Sequence, residues 1–202
     1  MTEGELYSLG VAFGAQARIE GENWTLVIIR ELGHSPEKVW EALTEPGHLR
    51  EWAPFDADSS LALAGATVKL TTIGGPMPRS TEERVIRADA PKLLEYTWGG
   101  RGMRWELEAT GAGTRLTLWA NIERYFISMG ASGWHVCLDV LDRLLGGRPL
   151  GRIIGGDAMR LEGWQRLNLE YANQLGVEVP RRPPFPDDTS GIGHGPKKVD
   201  PE

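Results

Sequence analysis

The stretch from residue 129 to 147 constrains the fold most, because its pattern requires a particular kind of partner. At about 100° per residue, one arc is apolar and carries Trp134, Cys137, Leu138, Leu141, Leu144 and Leu145. The opposite arc is polar and carries His135, Asp139, Asp142 and Arg143. Ser132 is placed to cap the amino end, and Gly146 and Gly147 to end the helix in a left-handed turn. The pattern therefore predicts an amphipathic helix that needs a broad apolar surface.

Most of the chain before this helix alternates between apolar and polar residues, as strands do. The strand-like segments are 8–19, 24–32, 59–63, 66–73, 80–88, 92–98, 103–109 and 114–123. Gly21 permits a tight turn after the first segment, and the expected cross-strand pairs are Ile19 with Trp24, Ala17 with Leu26 and Ala15 with Ile28. From these segments we expect about seven strands in hairpin order, which predicts an α+β fold with a curved antiparallel sheet wrapped around the long helix.

Two short helices are predicted after the second strand, and one further helix is predicted after the long helix. Ser35 and Pro36 form a capping signal for a helix over 36–43, and a second short helix follows over 47–52. An additional carboxy-terminal helix is predicted over 157–175, with Gly176 as its stop. Residues 1–177 therefore read as one domain. Residues 178–202 are rich in Pro and Gly and poor in apolar side chains, so we expect a disordered tail.

Composition excludes several classes of function. The chain of 202 residues carries a formal charge of −6 and has no long run of Lys or Arg, so we expect no nucleic-acid partner. One Cys allows no internal disulfide, and the four His have no metal-ligand spacing, so we expect no metal and no cofactor. No apolar run is long enough for a membrane span or a signal-peptide core. The expected setting is cytoplasmic, without a membrane.

Aromatic residues provide the best lead to a binding site. The chain has eight Trp, a high number for its length. Several rings come from segments that should converge between the sheet and the long helix, where they either fill the core or line a cavity. The predicted ligand-binding set is Trp52, Phe55, Tyr96, Trp98, Trp105, Leu118, Trp134, Leu138 and Leu141.

Candidate catalytic residues are few. Glu82 and Glu83 are neighbours on one strand and so face opposite sides; an inward Glu83 in an apolar cavity would have a raised pKa and could act as a general base. His135 is the second candidate, although its place on the polar arc favours a solvated side chain or the rim of a cavity. Cys137 lies about 200° from His135 on the helix, so the two cannot form a dyad, and we expect Cys137 in the core.

Several motifs, in their order, resemble the START-like or SRPBCC superfamily, and within it the branch named for the activator of the heat-shock-chaperone ATPase. The matching segments are His34-Ser35-Pro36-Glu37-Lys38-Val39-Trp40 with the following Glu45-Pro46, Pro91-Lys92-Leu93-Leu94-Glu95-Tyr96-Thr97-Trp98, Gly113-Thr114-Arg115-Leu116-Thr117-Leu118 and Gly133-Trp134-His135-Val136-Cys137. The resemblance covers roughly residues 8–146. It implies a helix-grip fold with a hydrophobic cavity between sheet and helix, but it implies no single activity.

The function expected from the sequence is binding of a hydrophobic or aromatic small molecule between the sheet and the long helix. Two alternatives remain: an enzyme of the cyclase or dehydratase kind, which needs a buried titratable group, and a co-chaperone-like protein-interaction domain, which needs an exposed apolar patch. We expect no chaperone partner, because the eukaryotic activators that give the branch its name carry an amino-terminal domain that nothing in this sequence could encode. A homodimer is left open.

Overall fold

A computed structural model describes residues 7–21 and 23–179 of the chain. The strands are β1 Gly14–Glu20, β2 Asn23–Leu32, β3 Phe55–Ala57, β4 Thr67–Thr72, β5 Arg79–Asp89, β6 Leu93–Trp98, β7 Arg101–Thr110 and β8 Gly113–Asn121. The helices are α1 Pro36–Thr44, α2 Pro46–Trp52, α3 Ile127–Leu145, α4 Gly155–Met159 and α5 Trp164–Leu175, and a 3₁₀ turn at Arg124–Phe126 leads into α3.

The eight strands described form one sheet in the order β1-β2-β8-β7-β6-β5-β4-β3, and every neighbouring pair is antiparallel. The register of the first hairpin is confirmed, with Ile19 opposite Trp24, Ala17 opposite Leu26 and Ala15 opposite Ile28. The inner face of this sheet packs on the long helix α3, and α1 and α2 also contact α3. The predicted helix-grip α+β fold is therefore confirmed, with eight strands where about seven were expected.

The apolar arc of α3 lies where the sequence predicts. Trp134, Cys137, Leu138, Leu141 and Leu145 are all buried. The start of the helix was predicted wrongly: α3 begins at Ile127 because the 3₁₀ turn continues into it. Ser132 is therefore inside the helix, where its hydroxyl donates to the carbonyl of Ser128 (3.0 Å), and does not cap it. Gly147 ends the helix in the left-handed region (φ +72°), as predicted.

Residues 8–13 do not form the predicted first part of β1. Their backbone contacts α5 instead: the N–H of Phe13 donates to the hydroxyl of Tyr171 (3.0 Å), and the N–H of Ala12 donates to Glu170 Oε2 (3.0 Å). This segment, residues 7–13, is called the amino-terminal strap below. Because these backbone groups bond to side chains of α5, the strap does not extend the hairpin.

Residues 59–63 were predicted as a strand and are a turn. The N–H of Leu61 donates to the carbonyl of Thr44 (2.9 Å), and the hydroxyl of Ser60 donates to Glu45 Oε1 (2.7 Å). Leu61 is buried. The segment therefore packs against the end of α1 and adds no strand to the sheet.

The predicted helix over 157–175 is two helices. The chain turns between α4 and α5 because Gly163 adopts a left-handed conformation (φ +87°), which interrupts the helical path. Helix α5 packs on α3 and on β1. It thereby covers the face of α3 that was expected to meet solvent.

No helix within residues 7–21 and 23–179 is long and apolar enough to cross a membrane. The predicted tail, 178–202, lies outside the described residues apart from its first two positions.

Candidate functional site

Seven of the nine predicted ligand-binding residues form a packed layer between the sheet and α3. Each has at most 2 % of its surface exposed; they are Trp52, Phe55, Tyr96, Trp105, Leu118, Leu138 and Leu141. The rings meet edge to face, with centroid distances of 6.0 Å for Trp52 and Trp105 and 6.1 Å for Phe55 and Tyr96. This layer is the aromatic core of the domain.

The polar atoms of these rings are hydrogen-bonded within the core. The indole N–H of Trp52 donates to the carbonyl of Ala42 (2.9 Å), and that of Trp105 donates to the hydroxyl of Tyr96 (3.1 Å). Burial raises the pKa of Tyr96, while the hydrogen bond from Trp105 lowers it by less. The phenol is therefore neutral at ordinary pH, and its position is set by a protein partner.

The other two predicted residues, Trp98 and Trp134, lie at the edge of the aromatic core and line open space. Their ring centroids are 5.8 Å apart in an edge-to-face pair. The indole N–H of Trp98 donates to Thr72 Oγ1 (2.8 Å), which fixes the ring at the end of β6. Trp134 is held from behind by Trp105, with centroids 5.4 Å apart. This pair is called the tryptophan wall below.

An apolar cleft of about 290 Å³ opens on one side of the tryptophan wall. Its lining comes from the bend after α2, the ends of β6 and β8, one side of α3, and the segment from α4 to the start of α5. The lining residues are Pro54, Trp98, Ile122, Phe126, Met129, Gly130, Gly133, Trp134, Cys137, Ile154, Gly155, Ala158, Met159 and Trp164. Cys137 is the one ionisable side chain among these lining residues, and burial raises the pKa of its thiol to about 12. The thiol is therefore protonated, and the cleft offers no charge to a ligand.

Two glycines on α3 give the cleft its depth. A Cβ added at Gly130 would lie 2.4 Å from Cδ1 of Ile122, so this glycine allows the helix to approach the end of β8. A Cβ added at Gly133 would meet nothing within 4 Å and would point into the open space of the cleft. These two glycines lie three residues apart on one side of the helix. They were a sequence signal for the cleft, and the prediction did not use them.

The far wall of the apolar cleft is built by α4. Gly155 lies so close to Gly74 that an added Cβ would be 2.1 Å from the carbonyl oxygen of Gly74. Next to this contact, Arg152 Nη2 lies 2.5 Å from Asp56 Oδ1, and Arg152 is only 14 % exposed. The link from α3 to α4 is therefore fastened to the β3 edge of the sheet, and it holds α4 over the cleft.

A second cleft, of about 310 Å³, also borders the tryptophan wall. It shares Trp98, Ile122 and Trp134 with the apolar cleft. The rest of its lining is mixed in polarity and consists of Thr72, Arg79, Thr81, Gly99, Arg101, Met103, Ala120 and Asn121. Two guanidinium groups thus stand at a cleft whose floor is apolar.

Glu83 faces inward on β5 and is 4 % exposed, but its environment is not the apolar one expected for a base. Its carboxylate accepts hydrogen bonds from the hydroxyl of Thr97 (2.5 Å) and the N–H of Gly99 (2.7 Å). Burial alone would raise the pKa of Glu83, but hydrogen bonds from Thr97, Thr81 and the backbone outweigh it and lower the pKa. The expectation of a raised pKa is wrong, and Glu83 is a charged structural acceptor.

His135 was expected to be solvated or at a rim, and it is completely buried. Its ring stacks on Phe13 of the amino-terminal strap (centroids 3.9 Å apart), its Nδ1 lies 2.9 Å from the hydroxyl of Tyr171, and its Nε2 lies 3.4 Å from Asp139 Oδ2. The strap and α5 cover the polar arc of α3, which the helix pattern alone assigned to solvent. His135 therefore belongs to a packing network and does not face either cleft.

Within the described ranges 7–21 and 23–179, no group of three or more His, Cys, Asp or Glu side chains is arranged to hold a metal ion.

Comparison with known proteins places the chain in a family. Residues 33–146 match the model of the family described as activator of Hsp90 ATPase homolog 1-like protein. This segment includes α1, α2, the six strands β3 to β8, and α3, and it runs from the capping turn of α1 to the end of α3. A comparison with curated proteins found no matching relative.

Solved structures share the fold at low sequence identity. A conserved protein of unknown function from Enterococcus faecalis is 16% identical, with a TM-score of 0.58 over 79% of this chain and 89% of that one. CalU16 from Micromonospora echinospora is 19% identical, with a TM-score of 0.58 over 80% of this chain and 96% of that one. A protein from Mesorhizobium loti is 25% identical, with a TM-score of 0.54 over 62% of this chain and 99% of that one.

Proposed function

The chain belongs to the family of activator of Hsp90 ATPase homolog 1-like proteins, and from this premise we propose that it binds a hydrophobic or aromatic small molecule in the apolar cleft. The observation that carries the proposal is the lining of that cleft, which combines three indole rings with two Met side chains and one Phe ring. Such a surface gains about 25 cal/mol for each Å² that a ligand removes from water.

The dimensions of the cleft restrict the ligand. A volume of about 290 Å³ is at the lower end of the range of small-molecule sites. Flat rings can lie against Trp98 and Trp134, whose edge-to-face arrangement presents one face and one edge. A flat molecule with two fused aromatic rings fits these limits.

Binding is favoured over turnover by the positions of the two candidate catalytic residues. Glu83 and His135 are not among the described residues that line the apolar cleft. Glu83 is bound by Thr97 and Gly99, and His135 is covered by Phe13. Neither side chain is placed to exchange a proton with a molecule in this cleft.

The test is a calorimetric titration with 2-naphthalenemethanol, a neutral two-ring probe. Wild-type protein is expected to bind it, and Gly133→Leu is expected to weaken binding at least about tenfold, because the new side chain occupies the cleft. Gly47→Leu is the matched control: Gly47 lies in α2, outside the cleft, and an added Cβ there also meets nothing within 4 Å.

Absence of binding by the wild type, or equal binding by wild type and Gly133→Leu, would contradict the proposal. Native mass spectrometry of the purified protein complements the titration, since a co-purified molecule would identify the natural ligand. Its mass should be absent from the Gly133→Leu variant.

A further inference from the structure

We propose that the ligand is an aromatic carboxylic acid, whose ring lies against the tryptophan wall and whose carboxylate binds in the second cleft beside Arg79 and Arg101. This inference rests on the proposed function and names the chemical class of its ligand.

The tryptophan wall is common to the two clefts. Trp98 and Trp134 line both of them, together with Ile122. A flat ring placed on this wall therefore has apolar surface beneath it, and its substituents can reach the polar rim of the second cleft. The second cleft, and not the apolar cleft, is where a charged substituent finds partners.

Strand register brings the two arginines to this rim. Arg79 is paired with Thr72 between β4 and β5, and Arg101 is paired with Trp98 between β6 and β7. Directly opposed residues of antiparallel strands have side chains on the same face of the sheet. Thr72 and Trp98 line the second cleft, so the opposed Arg79 and Arg101 line it too, both at the open end of the sheet.

The charges around the rim leave one guanidinium without a counter-ion. Arg101 Nη2 is paired with Glu123 Oε1 at 2.5 Å. The carboxylate of Glu83 accepts hydrogen bonds from Thr97 and Gly99. Among the residues that the structure describes, no carboxylate oxygen lies within 4.0 Å of the Arg79 guanidinium. One negative charge on a ligand would complement this guanidinium in a chain whose overall charge is −6.

Thr72 supplies a neutral donor at the same place. Its Oγ1 accepts the indole N–H of Trp98 (2.8 Å), so the hydroxyl proton remains available to a second acceptor. A carboxylate can accept from the Arg79 guanidinium and the Thr72 hydroxyl together, because the two residues are cross-strand partners.

The test compares three probes of equal ring size by calorimetry: 2-naphthoate, neutral 2-naphthalenemethanol and cationic 2-naphthylmethylammonium. Wild type is expected to bind naphthoate at least about tenfold more tightly than the alcohol, and the cation most weakly. Arg79→Gln and the double variant Arg79→Gln/Arg101→Gln should lose that preference while keeping affinity for the alcohol. Arg84→Gln is the matched control, since Arg84 lies on β5 but faces the other side of the sheet.

The outcomes separate this inference from the proposed function. If wild type binds the alcohol as tightly as naphthoate, or if the arginine variants keep the preference for naphthoate, the inference is overturned and the proposed function stands. If wild type binds none of the three probes, the proposed function fails and the inference with it. A naphthoate preference that disappears in Arg79→Gln and persists in Arg84→Gln supports the inference.

Discussion

The Nδ1 atom of His135 lies 2.9 Å from the hydroxyl of Tyr171, and this contact joins the long helix α3 to the last helix α5. The same hydroxyl accepts the N–H of Phe13 at 3.0 Å, so one oxygen atom joins two helices and the amino-terminal strap. All three side chains meet on the arc of α3 that is polar in sequence.

Removing this hydroxyl should destabilise the fold. In Tyr171→Phe, the ring of Tyr171 is kept and the buried groups of Phe13 and His135 lose their partner, so we expect the free energy of unfolding to fall by about 2 kcal/mol. Urea denaturation measures the change. The control is Tyr125→Phe, since Tyr125 is 53% exposed and its hydroxyl should contribute little. Equal midpoints for Tyr171→Phe and Tyr125→Phe would show that the contact does not stabilise the fold.

The carboxylate of Asp139 should make stability depend on pH in the acid range. It accepts from the hydroxyl of Tyr7 (2.8 Å), and it lies 3.0 Å from Arg30 Nη2 and 3.4 Å from His135 Nε2. Burial alone would raise the pKa of Asp139, but the hydrogen bond and charge of His135, with Tyr7 and Arg30, outweigh it and lower the pKa. A lowered pKa in the folded state means that the stabilisation is present above the unfolded pKa of about 3.9 and is lost as pH falls through the folded value.

We therefore expect Asp139→Asn to lower the free energy of unfolding by about 2 kcal/mol at pH 7. The difference from wild type should stay constant down to about pH 4 and shrink below it. Urea denaturation at a series of pH values measures this. Asp157→Asn serves for comparison, because Asp157 is 75% exposed. A difference that grows as pH falls would contradict the assignment.

The ion pair of Arg152 with Asp56 should control opening of the apolar cleft. In Arg152→Gln, the link to α4 loses a half-buried charge pair, and we expect local opening to become more favourable by about 1 kcal/mol. Hydrogen exchange of peptides covering residues 153–162 should accelerate by roughly fivefold, while exchange in the sheet is unchanged. Arg160→Gln is the control, since Arg160 is 76% exposed. Unchanged exchange in Arg152→Gln would show that the pair does not hold α4.

Glu83 is expected to act in folding and not in chemistry. Glu83→Gln should lose about 2 kcal/mol of stability, because an amide is a weaker acceptor than a carboxylate for Thr97 and Gly99. Affinity for 2-naphthalenemethanol should stay within about twofold. The neighbouring Glu82 is exposed on the other face, so Glu82→Gln is the matched control. If Glu83→Gln were as stable as Glu82→Gln, the carboxylate would not have the structural role described.

Local pattern was sufficient to predict the strands that pair with their neighbours in sequence, with the exception of the short strand β3. Gly21 and the alternation around it determined the register of the first hairpin. The apolar arc of α3, with Trp134 and Leu141, could also be predicted from local pattern. The 3.6-residue period of a helix places side chains on a face without reference to the rest of the chain.

Contacts between distant segments were not predictable in this way. His135 was assigned to solvent because polarity was the only available criterion, whereas its burial depends on Phe13 and Tyr171, 122 and 36 positions away in the chain. The break at Gly163 also divides the predicted helix over 157–175, in which the apolar residues keep helical spacing throughout. Consequently Met159 and Trp164, which line the apolar cleft, were not among the predicted site residues.

Helix α4 stands beyond residue 146, where the match to the family ends, yet it forms a wall of the cleft. The shape of this cleft is thus set partly by a region that contributes nothing to the sheet. Substitutions at Ile154, Ala158 or Met159 should therefore change the shape of the cleft without altering any strand of the sheet that packs on α3. The segment that closes the cleft and the segment that forms the sheet are therefore separate stretches of the sequence.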